Sequence, residues 1–147
     1  MNMFSFCSSF LRRALLAVLV AGIVLPGAGC DNTTSPTPVT SPVTETWAGS
    51  FQPNGAASRS FIAAQAGEVR LQLLSTTPVN ITFGLGFGTA DADGRNCTIT
   101  DSVLTASSPD TPQIVKVVTA GTYCARVHDP GNLVVTNGSF VVAIVRP

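Results

Sequence analysis

The chain has little charge and almost no histidine. Lys, Arg, Asp and Glu make up 11% of its 147 residues, with eight basic residues against eight acidic ones and a single His. No basic patch is present to neutralise phosphates and no acidic block to hold cationic partners. Sequence-directed binding of DNA or RNA is therefore excluded. There is no Cys-x-x-Cys and no His cluster, so a zinc site of the usual spacing is excluded too. No Gly-x-Ser-x-Gly supplies a serine nucleophile. The apolar run Ala14 to Val24 falls short of the roughly 20 residues a membrane-spanning helix needs. Beyond residue 30 no stretch shows a helical period.

The N-terminus carries an address. Arg12 and Arg13 precede the apolar run, and Gly27, Ala28 and Gly29 follow it. Positive charge, apolar run and small-residue exit match a secretory signal. Cys30 comes directly after the small residues, and the whole segment resembles the cleavage and lipidation site of bacterial lipoproteins. The resemblance implies that the Cys30 thiol carries diacylglycerol, becomes the new N-terminus after cleavage, and holds the protein on the bilayer of the bacterial cell envelope. Each buried CH₂ of an acyl chain contributes about 0.8 kcal/mol, so several chains make a firm anchor. The competing reading is an ordinary signal peptide cleaved nearby, with Cys30 a free or paired thiol.

Removing residues 1–29 leaves 118 residues with a net charge of −2, because Arg12 and Arg13 go with the signal. That is one domain's worth of chain. Cys7 leaves with the signal and Cys30 takes lipid, so Cys97 and Cys124 remain. Two cysteines in an exported domain most simply form one disulfide. Its loop of about 27 residues gives roughly 3–4 kcal/mol of stabilisation by chain-entropy reasoning.

Residues 30–45 comprise Cys30 and a Ser/Thr/Pro-rich stretch nearly free of large apolar groups. Such a stretch cannot bury enough surface to fold and reads as an extended tether. From Thr46 the pattern changes to period two. Trp47, Gly49 and Phe51 alternate with Ala48 and Ser50, and Pro53-Asn54-Gly55 reads as a turn. Further strands are expected at Ser58–Ala64, around Val69, Leu71 and Leu73, and from Val79 to Phe87. The second half adds strands at Cys97–Thr105, Ile114–Val118, Tyr123–Val127 and Phe140–Val145, the last apolar on both faces and so central. Eight short strands with frequent turns predict an all-β fold over 46–147, an antiparallel, jelly-roll-like β-sandwich.

The stretch Thr119-Ala120-Gly121-Thr122-Tyr123-Cys124-Ala125-Arg126-Val127 resembles the bacterial pre-peptidase C-terminal domain. Trp47-Ala48-Gly49-Ser50-Phe51, Ser60-Phe61-Ile62 and Gly138-Ser139-Phe140-Val141-Val142 resemble its opening, second and closing strands. The similarity covers roughly Thr46 to Val145 and implies a jelly-roll-like sandwich. Members of that family hang from secreted hydrolases, where some bind matrix or polysaccharide. This chain has a lipid-anchor signature instead of an attached enzyme.

Few residues offer chemistry. His128 stands beside Asp129, but a catalytic triad needs Asp on one imidazole nitrogen and the nucleophile on the other, and strand neighbours point to opposite faces. A polar strand end leading into a turn explains both residues better. Asp91-Ala92-Asp93-Gly94 resembles the core of a calcium loop, yet the position for the bidentate Glu falls on Thr100. A β-turn held by Asp91 and Asp93 is one reading, and a weak extracellular calcium site joined by Asp101 is the other. Gly84, Gly86 and Gly88 would leave one face of their strand bare, open to a ligand or covered by a loop or the disulfide. Trp47 and Tyr123 sit at core-facing positions.

The expected function is that of a non-catalytic cell-envelope lipoprotein, a binding or structural module for a protein partner or polysaccharide, needing no cofactor. The alternative is an accessory lipoprotein that assists assembly or secretion of an envelope complex.

Overall fold

A computed structural model describes residues 41–147. The expected signal peptide, the expected lipidation site Cys30 and most of the expected tether lie outside the described residues. Eight strands follow one another: β1 (Val43–Phe51), β2 (Ala56–Ala63), β3 (Gly67–Thr77), β4 (Phe83–Ala90), β5 (Cys97–Thr105), β6 (Ile114–Val118), β7 (Gly121–His128) and β8 (Gly138–Arg146). They form two four-stranded sheets with orders β1-β8-β3-β6 and β2-β7-β4-β5. Every pair is antiparallel. Successive strands mostly change sheet, and this order is that of a jelly roll. The expected all-β sandwich is the fold observed.

Alternation builds the core. Trp47 and Phe51 of β1, Phe61 of β2, and Val69, Leu71 and Leu73 of β3 point inward. Phe83, Leu85 and Phe87 of β4 meet them with Val127 of β7 and Phe140, Val142 and Ile144 of β8. Phe140 is the hub: Trp47 meets it edge-on at 4.8 Å between centroids, and Phe51 stacks on it at 5.6 Å. Burial of each such side chain is worth about 1.5–3 kcal/mol. β8 lies between β1 and β3, the central place its two apolar faces predicted.

Most strands extend a residue or more past the bounds read from the sequence, and two of the differences have a plain physical cause. The first strand begins at Val43, not Thr46, so the tether ends three residues earlier. Val43, Thr44 and Glu45 pair with Arg146, Val145 and Ile144 of β8, which shows that a Ser/Thr-rich segment joins a sheet when a central strand offers free partners. The strand expected from Val79 starts only at Phe83. Asn80 takes a left-handed conformation at φ 62°, which breaks the strand, and Val79 projects into solvent.

The sandwich is closed at both sides by charges aimed inward. Glu45 of β1 pairs with Arg59 of β2 and with Arg146 of β8. On the opposite side Lys116 of β6 pairs with Asp101 of β5. All four edge strands therefore carry a core-side charge, a device that discourages edge-to-edge pairing with another chain.

Candidate binding groove

The disulfide shapes one outer face of the molecule. Cys97 of β5 and Cys124 of β7 are bonded, with Cα atoms 5.8 Å apart. Both flank β4, opposite Ala90 and Gly88, so the bridge crosses that strand. The pairing is the one expected from cysteine arithmetic. The glycine stripe beneath is not open. A side chain at Gly84 would collide with the His128 ring, and one at Gly88 would lie 2.0 Å from the Thr98 carbonyl oxygen. Ile99 covers Gly86. The bare face is filled by its neighbours, which is the structural alternative of the two.

His128 and Asp129 are likewise used by the fold. His128 lies over the Gly84 backbone. Asp129 is buried at 6% exposure and accepts four backbone N–H bonds, from Asn54, Gly131, Asn132 and Leu133. Burial raises its pKa, but those donors outweigh it and hold the carboxyl below its ordinary value. The carboxylate ties the β1–β2 turn to the β7–β8 loop. Trp47 and Tyr123 pack into the core: the Tyr123 ring stacks on Phe87 at 5.4 Å, and its hydroxyl donates to the Thr119 carbonyl.

The proposed calcium residues part company. Asp91 accepts from the Arg95 N–H on one carboxylate oxygen and from the Asn96 amide on the other. Burial opposes ionisation, but these bonds and the Gly94 N–H keep its pKa below normal. It staples the β4–β5 turn, with Gly94 in the left-handed region at φ 69°. Asp93 makes no such bond and lines a groove instead. Asp101 pairs with Lys116, which lowers its pKa. Among the described residues no group of three or more His, Cys, Asp or Glu is placed to share a metal ion.

The groove is shallow and open to solvent, with a volume of about 460 Å³. One wall is the edge of β2, with Arg59, Ser60 and Ile62; another is the β4–β5 turn, with Ala92, Asp93 and Gly94. Thr122 of β7, Glu45 and Arg146 complete it. The turn reaches β2 because the Cys97–Cys124 bridge holds the base of its hairpin down on the sheet, and a Cβ at Gly94 would lie 2.6 Å from Ser60 Oγ. Arg59 spends its Nε on Glu45 and stays 46% exposed, with its other donors in hand. Arg146 donates through Nη1 to the Ile62 carbonyl, while its Nε is buried without a partner.

The sequence reading named Asp93 but missed Arg59, Glu45 and Arg146. A signal for them exists. Each stands two residues from a core side chain, Phe61, Trp47 or Ile144, and is therefore a charge in inward register.

No family model matches the chain, and no curated protein matches it. Among solved structures it is similar to the Yersinia pseudotuberculosis-derived mitogen, at 15% identity and a TM-score of 0.52, over 72% of this chain and 87% of that one. At that identity the likeness carries the fold alone, a β-fold shared by two sequences with little else in common.

Proposed function

We propose that the chain is a lipid-anchored lipoprotein of the bacterial cell envelope, with a jelly roll like that of pre-peptidase C-terminal domains, acting as a non-catalytic binding module. The observation that carries the reading is the groove between β2 and the β4–β5 turn. It gathers the outer donors of the Arg59 guanidinium, whose Nε is held by Glu45, with the Asp93 carboxylate and the hydroxyls of Ser60 and Thr122, which no bond of the fold engages. Of the residues nearest to catalytic chemistry, Asp129 is by contrast spent on four backbone N–H groups, and the His128 ring lies against the Gly84 backbone. Their occupation favours binding over turnover.

The anchor belongs to the same reading. Acylated Cys30 would hold the groove near a membrane, where a protein partner or envelope polysaccharide could reach it. Fractionation of cells expressing the full chain tests this. The native chain should sediment with membranes and Cys30→Ala should appear in the soluble fraction. A Cys30→Ala variant retained in the membrane fraction defeats the anchor.

A further inference from the structure

Resting on the binding-module reading, we propose that the groove takes a short peptide-like ligand that carries both an ammonium and a carboxylate. The β2 wall offers the Arg59 guanidinium, and the β4–β5 turn offers the Asp93 carboxylate, which no hydrogen bond or ion pair of the fold engages. A simple anion would pair with Arg59 but meet the charges of Asp93 and Glu45. A simple cation would meet Arg59 and Arg146. A neutral sugar would strip water from both signs of charge and return neither pairing, a cost of about 1–3 kcal/mol for each group left unsatisfied.

A ligand with both charges satisfies both walls at once. The Ser60 and Thr122 hydroxyls stand ready for amide groups between its ends. Ile62, 60% exposed on the groove's β2 side, provides an apolar surface for a small side chain. The lining has no exposed aromatic ring on which a pyranose could stack, because Phe61 is buried in the core. The walls are held in advance by the disulfide and the Glu45 ion pairs, so little ordering accompanies binding.

The test is an amide chemical-shift titration of the compact unit Pro38–Pro147 with trialanine, its N-acetyl form and its C-terminal amide. Trialanine should shift the amides of Ser60, Ile62, Gly94 and Thr122 and bind at least tenfold more tightly than either capped form. In Asp93→Asn, a variant that removes no bond of the fold, trialanine and its N-acetyl form should bind alike. Equal affinity of all three peptides for the native protein overturns the proposal, as does the absence of shifts at the groove. A uronate oligosaccharide that shifts the same amides while no peptide does so also overturns it, and leaves the binding-module reading standing.

Discussion

At the residue scale, the glycines and aspartates decide most. Gly88 has the Thr98 backbone where a Cβ would go, and backbone cannot step aside as a side-chain tip can. Gly88→Ala should cost about 2–3 kcal/mol through overpacking. Gly121→Ala meets only ordinary contacts at 3.5 Å or more and should stay within about 1 kcal/mol of the parent. Urea melts of the two variants check the contrast, and equal midpoints would refute it. Asp129 gives a pH dependence. Its pKa lies below the ordinary 3.8, so its contribution is complete above that value and fades as pH falls through the lower, folded pKa. Asp129→Asn should therefore lower the neutral-pH melting temperature by at least about 5 °C and flatten part of the acid-side loss. Asp91 and Asp101, also lowered, keep the remainder. These roles explain why the sequence was legible only in part here. A lone His–Asp pair and an Asp-x-Asp-Gly run show chemistry by type, whereas the N–H groups and walls that occupy them come from segments far away in sequence.

At the element scale, alternation made the strands readable. Cys97–Thr105 and Ile114–Val118 begin and end where period two and the flanking turns place them. The failures lie where tertiary partners override composition. The strand ending in Phe51 recruits Val43–Glu45 out of a tether-like sequence because β8 has an open edge, and the strand expected from Val79 starts only at Phe83, beyond the left-handed Asn80. A practical consequence follows. The fragment Thr46–Pro147 lacks Glu45, the partner of both Arg59 and Arg146. It should melt at least about 4 °C below Pro38–Pro147, and equal melting would show that residues 38–45, Glu45 among them, add nothing. The disulfide element is worth more. Its separation of 27 residues gives about 3.5 kcal/mol by loop-closure entropy, so the double variant Cys97→Ser, Cys124→Ser should lose that much in denaturant melts. It should also free the β4–β5 turn, seen as faster amide exchange from Asp91 to Asn96 than in the parent.

At the scale of the whole molecule, the jelly roll supplies a rigid body with both sides plugged by inward charge. The groove lies at the end of the sandwich where β1 begins and β8 ends, beside Glu45 and Arg146. Fold class was open to reading because it follows from strand number, spacing and turn chemistry. The groove was hidden because it forms only when a disulfide folds one hairpin onto another strand's edge. The central claim is that this groove binds a ligand. Thermal melting of Pro38–Pro147 with envelope polysaccharides and alanine peptides, beside Asp93→Asn, tests it most directly. A ligand at 100 times its Kd should add about 2.7 kcal/mol, a plain upward shift in Tm that shrinks in Asp93→Asn. A shift that is absent across the panel, or unchanged in the variant, contradicts the account.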